Sequence, residues 1–242
     1  MTTVDPAEAA KFDHLARDWW DPAGPMRALH RINPLRLGFI RDEACRRFGR
    51  QAREPFPLAG LSALDVGCGA GLLSEPLARM GAAVTAIDPA AATLAAARRH
   101  AKAGGLAIDY RGDTIEALVA SGATFDLVVA MEVVEHVTDV DAFIRATAAV
   151  VRPGGLLLLA TLNRTLRSFA LAIVGAEYVL GWLPRGTHDW ERFVTPDELR
   201  DAVEKTGLIG FRTRGMVFNP LANEWRLAAD TAVNYLAVAE KP

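Results

Sequence analysis

The segment Asp65-Val66-Gly67-Cys68-Gly69-Ala70-Gly71 restricts the fold of this chain more than any other. It follows the apolar run Leu61–Val66 and precedes Leu72–Met80, which has a helical pattern. Strand, glycine turn and helix therefore succeed one another within twenty residues. Glycines at alternating positions let the backbone turn sharply and let a ligand approach where a Cβ would stand in the way. The same rhythm continues downstream. Ala83–Ile87, Ala107–Arg111, Phe125–Ala130 and Leu156–Thr161 are short Val-, Ile- and Leu-rich runs without polar alternation, which suits strands buried on both faces. Helical patterns at Ala90–Lys102, Ile115–Ser121 and Val140–Val151 separate them. The expected fold is α/β, an open and mostly parallel sheet with helices on both faces. Thr195-Pro196-Asp197-Glu198 reads as a helix start with a capping box and runs to Lys205. Leu208–Thr213 and Val233–Ala239 bring the strands to seven, ending in a hairpin-like pair.

Residues 1–60 read as an N-terminal helical extension over the loop, bounded by Pro55 and Pro57; 61–242 read as one domain with an apolar insertion at about 164–190. The net charge of -2 argues against a nucleic-acid partner, because a surface that tracks phosphates needs a basic excess. Cys45 and Cys68 have no metal-type or disulfide-type spacing and read as free thiols of a reducing cytosol. Met1–Asp18 lacks the apolar run of a secretory signal. The longest apolar stretch, Phe169–Leu183, contains Glu177 and falls short of a spanning helix.

Ligands of open α/β sheets bind at the carboxyl ends of the strands. Asp65 ends the first strand, and Asp88 ends the second, where a carboxylate can take both hydroxyls of a ribose. A dinucleotide site also uses a glycine turn followed by an acid, but its G-x-G-x-x-G pattern needs glycine where this chain has Leu72. The plain alternative is a tight strand–helix turn with no ligand.

Asp65–Gly71 and Asp88 resemble the first two motifs of class I S-adenosylmethionine (SAM)-dependent methyltransferases, a Rossmann-like superfamily. The resemblance implies that Asp65, Gly67, Gly69 and Asp88 bind S-adenosyl-L-methionine, with Asp113 at the adenine amino group and Met131 against the adenine. Asp113 also reads as an ordinary helix N-cap. Outside this core, Trp19-Trp20-Asp21, His30–Arg36, Met131–His136, Thr161–Arg164, Val174–Tyr178, Pro184–Asp189 and Asn234-Tyr235 resemble one subgroup, the O-methyltransferases of ubiquinone biosynthesis. That family methylates 2-polyprenyl-6-hydroxyphenol and 3-demethylubiquinol. The resemblance implies that Arg36 pairs with the methionine carboxylate of the donor, a task suited to the guanidinium fork; the alternative is a helix-surface arginine.

Glu132, Glu135 and His136 are spaced i, i+3, i+4, which on a helix would put them on one face. They read either as ligands of Mg2+ or another divalent cation, as in the eukaryotic branch of the family, or as the lining of a metal-free pocket. In the second case His136 is the general base, with Glu135 beside it. The apolar, Trp-bearing insertion with Arg164, Arg167 and Arg185 at its flanks reads as a lid, as a surface that docks on anionic headgroups, or as both. The expected protein is cytoplasmic, either soluble or peripheral on the inner face of the cell membrane. Its partners would be a polyprenyl phenol or quinol and other enzymes of the ubiquinone route. Asn163, His188 and Phe193 are candidates for gripping the ring. Trp19 and Trp20 either cover the cofactor or anchor the extension. Outside this family, the alternatives are methyl transfer to another phenol or a carbon or nitrogen centre, and a donor-binding protein with no transferase activity.

Overall fold

A computed structural model describes residues 2–13, 16, 18–171 and 189–242. Two helices come first, α1 (Pro6–Asp13) and α2 (Arg27–Phe48). Gly49, in the left-handed conformation, caps α2 by donating its N–H to the Cys45 carbonyl, the usual way a helix satisfies its last carbonyls. The alternating part follows: β1 (Ser62–Val66), α3 (Ser74–Arg79), β2 (Ala83–Ile87), α4 (Ala91–Ala103), β3 (Asp109–Arg111), α5 (Ile115–Ser121), β4 (Phe125–Met131), α6 (Val140–Ala149) and β5 (Val151–Leu162). After a short helical turn, α7 (Leu166–Ser168), come α8 (Pro196–Glu204), β6 (Ile209–Asn219), β7 (Glu224–Ala228) and β8 (Asn234–Glu240).

The strands form one sheet in the order β3-β2-β1-β4-β5-β8-β6-β7. The first five are parallel, and β8 joins β5 antiparallel with Leu162 opposite Asn234. The expected count of seven is corrected to eight. The added strand, β7, hairpins onto β6 at the sheet edge. Its sequence, Glu-Trp-Arg-Leu-Ala, is short and carries two charges in five residues, as an edge strand that resists further pairing tends to do.

The central strands are apolar throughout because both faces are covered. One face packs Phe39, Ile40 and Ala44 of α2, Leu77 of α3 and Leu94 and Ala97 of α4 on Leu127, Val129, Leu156 and Leu158. The other packs Leu118 of α5, Phe143 and Ile144 of α6 and Leu199 and Val203 of α8 on Val128, Leu157, Leu159 and Tyr235. The chain runs outward from β1 through β2 to β3, then returns to β4 on the other side of β1. The crevice above β1 and β4 is thus where the strand order reverses, the place such sheets bind ligands. The glycine loop and residues 132–136 border it. As expected, Thr195 and Glu198 form a capping box at the start of α8, with Pro196 in the first turn. Among the described residues no helix is long and apolar enough to cross a membrane.

Candidate active site

Gly67 and Gly69 both have positive φ, +69° and +52°. A Cβ on Gly67 would come within 2.5 Å of Val133, and one on Gly69 would run into the Trp19 ring. Conformation and space both demand glycine here. The loop is tied to the end of β2 on two levels. Gly67 and Cys68 donate their N–H groups to the Ile87 carbonyl at 2.9 and 3.0 Å. Gly69 N–H donates to Asp88 Oδ2 at 2.8 Å, while Asp88 Oδ1 accepts from Ala90 N–H at 2.8 Å. Asp88 is therefore fixed at the rim of the loop.

Beneath it, Asp65 is 2% exposed and accepts a 2.5 Å hydrogen bond from Ser74 Oγ. Burial pushes its pKa up to about 7, against the lowering effect of the Ser74 bond and of Arg36 nearby. Burial also pushes the Cys68 thiol up, so this cysteine is an inert part of the loop rather than a nucleophile.

α2 closes the crevice from the other side. Asn33 donates Nδ2–H to the Leu72 carbonyl at 2.7 Å, and its Oδ1 accepts from Arg36 Nη2 at 3.1 Å. Arg36 is 4% exposed, and its Nη1 pairs with Glu132. Its Nε–H has no hydrogen-bond partner among the described residues. A buried guanidinium with an unsatisfied donor is costly unless an anion completes it. That removes the helix-surface alternative for Arg36.

The two tryptophans of the N-terminal segment lie over the loop. Trp19 is buried against Gly69. Trp20 Nε1–H donates to the Ala70 carbonyl at 3.0 Å, and its ring stacks on His100 at 3.5 Å and 6°. His100 Nδ1 in turn meets the fully buried Glu75 at 2.6 Å. The pairing joins the tryptophans to α3 and α4; only the Trp-Trp pair itself stood out in the sequence, and Glu75 and His100 gave no signal.

The expected helix face for Glu132, Glu135 and His136 is corrected. Glu132 has φ +54°, a left-handed conformation that interrupts any helix, and only Val134–His136 forms a 3₁₀ turn. The three side chains go different ways. Glu132 pairs with Arg36. Glu135 is 3% exposed and accepts from Thr161 Oγ1 at 2.8 Å. His136 Nδ1 meets Glu8 Oε2 of α1 at 2.9 Å. Among the described residues no three His, Cys, Asp or Glu side chains gather to hold a cation. As placed, these residues do not fit a metal ion as one ligand set. Glu8 was missed because its partner lies 128 residues away and nothing local marks it.

Asp113 sits half-buried between β3 and α5, where Thr114, not Asp113, caps the helix by accepting from Ala117 N–H. Met131 is buried at the end of β4. Phe193 is buried in full, and Asn163 is 7% exposed just beyond β5. His188, Val174–Tyr178, Arg185 and most of the apolar insertion lie outside the described residues.

A methyltransferase-domain family model matches residues 64–159. Ubiquinone biosynthesis O-methyltransferases from Methylobacterium nodulans and Methylobacterium sp. (strain 4-46) are 60% and 61% identical to the chain over 240 residues, 99% of this chain and 96% of each relative. The enzyme of the same name from Methylocella silvestris is 58% identical over 245 residues, again 99% of this chain and 96% of that one. Solved structures share the fold at low identity. A SAM-dependent methyltransferase from Thermotoga maritima superposes with a TM-score of 0.66 at 16% identity, covering 97% of this chain and 100% of that one. Magnesium protoporphyrin IX methyltransferase from Synechocystis, with bound SAH, gives 0.63 at 20% identity, covering 97% and 95%.

Proposed function

The chain belongs to the ubiquinone biosynthesis O-methyltransferases, and from that premise we propose that it methylates the free ring hydroxyls of 2-polyprenyl-6-hydroxyphenol and 3-demethylubiquinol. The observation that carries this is the extent of the likeness. It spans 99% of the chain, well beyond the shared domain at 64–159, and so includes Trp19-Trp20, His30–Arg36 and the segment after Asn163.

SAM, when bound, supplies an electrophilic methyl group on a sulfonium. The buried Arg36, with its unsatisfied Nε–H, suits the methionine carboxylate. Glu132 and Asn33 hold the guanidinium in place for it. In this reading Asp88, held at the rim of the glycine loop, would take the ribose hydroxyls, and Met131 and Asp113 would meet the adenine. Trp19, packed on Gly69, would exclude water from this end of the crevice.

The phenol must surrender its proton before its oxygen can attack, because a phenol of pKa about 10 is mostly neutral near pH 7. His136 is the base in this reading. Its Nδ1 meets Glu8 Oε2 at 2.9 Å, a contact that would orient the ring for this role. The proton passes to the imidazole, and the phenolate oxygen then attacks the methyl carbon in line with the sulfur, which leaves as the neutral thioether of SAH. Alignment supplies the rest of the rate. No step here runs through a metal, since Glu132, Glu135 and His136 take separate partners.

Replacing His136 by Ala is expected to lower turnover on a short-chain 2-alkyl-6-hydroxyphenol by about a hundredfold, the ordinary share of a general base, with SAH affinity by calorimetry nearly intact. An equal loss of donor affinity contradicts the role of His136. A wild-type enzyme that transfers no methyl to the diol contradicts the function itself.

A further inference from the structure

The cover over the glycine loop is built apart from the rest of the protein. Residues 18–26, the strap that leads into α2, pair with no strand. They fold as successive turns: Asp21 N–H donates to the Asp18 carbonyl at 3.2 Å, Gly24 N–H to Asp21 at 3.0 Å and Arg27 N–H to Gly24 at 3.1 Å. Trp19 and Met26 of the strap are buried with Ala70, Leu72 and Ala96 of α4 in a cluster of their own, separate from the two cores that flank the sheet. A satellite cluster of this kind can open while the main cores stay closed.

The ties that hold the strap down are few. The Trp19 carbonyl meets His30 Nε2 at 2.9 Å, but His30 lies on α2, so this bond joins the strap to its own continuation. Trp20 reaches other elements. Its Nε1–H bonds the Ala70 carbonyl of the loop, and its ring lies flat on His100 of α4, 3.5 Å between centroids and 6° between planes. His100 is itself fixed, with Nδ1 at 2.6 Å from Glu75 Oε1. The Glu75 side chain is fully buried, and its other oxygen accepts from Arg79 Nη2 at 2.9 Å. Trp19 packs on Gly69, whose N–H holds Asp88, so a donor bound along this loop is covered by the strap. We infer that His100, fixed by Glu75, is the positioning residue that latches the Trp19–Trp20 cover over the donor site, and that this latch sets how fast the methyl donor enters and its spent form leaves. The inference rests on the glycine loop as donor site and is independent of which ring is methylated. Every part of the latch belongs to the chain, so its strength is the same with donor bound as without. Loosening it therefore speeds entry and exit by one factor and leaves the affinity where it was. Covers of this kind often control product release.

Surface plasmon resonance of SAH on the immobilised full chain reads both rates, for the wild type, His100→Ala, Trp20→Ala and the double variant. His100→Ala is expected to raise the association and dissociation rates together by about threefold to tenfold, the worth of one aromatic stack, with Kd nearly unchanged. His100→Asn keeps an amide for Glu75 and removes only the ring; it should behave alike, and it serves if the alanine variant fails to fold. In the Trp20→Ala background the His100 substitution should change neither rate, since the latch acts through Trp20. Unchanged rates in both His100 variants overturn the proposal. So does a weaker affinity with an unchanged association rate, or an effect that persists in full without Trp20, as a merely structural role would give. Asp88→Ala checks the donor site itself. Weaker SAH binding there, with unaltered rates in the His100 variants, spares the site and sinks the latch; undiminished binding in Asp88→Ala sinks both. Rates as expected without methyl transfer to the diol would sink the proposed acceptor and spare the latch.

Discussion

Asp65 and Arg36 are two of the buried ionisable residues around the glycine loop, and each has a measurable consequence. The Asp65 carboxyl is raised from 3.8 to about 7 by burial. A carboxyl whose pKa is higher folded than unfolded binds its proton more tightly in the native state, so its stabilising effect is full below about 4 and is lost as pH rises through about 7. Asp65→Asn keeps the shape and can still accept from Ser74, but it cannot ionise. Melting temperatures of the ligand-free protein are expected to fall between pH 5 and pH 8 more steeply for the wild type than for this variant. Parallel curves would mean that Asp65 titrates normally. For Arg36, the orphaned Nε–H calls for an anion. Arg36→Ala should weaken SAH binding by about tenfold to a hundredfold, the range of a charge-assisted hydrogen bond, and calorimetry reads it directly. An unchanged dissociation constant removes Arg36 from the donor site. The sequence supplied both residues, Asp65 from its place before the glycines and Arg36 through family likeness. Neither the burial of Asp65 nor the pairing of Arg36 with Glu132 was legible, because both depend on what packs around them.

Among the elements, strands announced by long apolar runs were visible, since burial on both faces leaves a continuous pattern. β7 was not, because an edge strand of five residues with Glu224 and Arg226 looks like a loop. The turn after β4 was misjudged for a different reason. Glu132, Glu135 and His136 have helical spacing, but Glu132 takes a left-handed conformation, and spacing carries no meaning where the helix does not exist. The start of the insertion is exposed and apolar: Leu166 is 82%, Phe169 45% and Leu171 52% accessible. This supports a membrane-docking role for the segment as our proposal. Its basic flank supports it less, since Arg164 pairs with Glu198 and Arg167 with Asp230 and neither is held ready for a headgroup. Apolar contact should then dominate over charge. Deletion of 166–184 is expected to abolish flotation with anionic liposomes, and wild-type flotation should survive moderate salt. Equal flotation of both proteins would remove this segment from the membrane.

Across the whole molecule, the parallel sheet and its two helical faces follow from the alternating pattern, whereas the reversal of strand order above β1 and β4 is known only from the structure. The candidate site is harder to read, because it gathers side chains from α1, α2, the glycine loop, the turn after β4 and the end of β5. Glu8 with His136, and Thr161 with Glu135, are pairings of chain-distant residues that no local motif encodes. The central claim is transfer of a methyl group to a ring oxygen. Donor labelled with carbon-13 in its methyl group, incubated with the full chain and a short-chain 2-alkyl-6-hydroxyphenol, tests it most directly by carbon NMR of the product. The expected result is a single labelled methoxy carbon, absent when the diol is omitted. Label on a ring carbon, or donor bound with no label transferred, would contradict it.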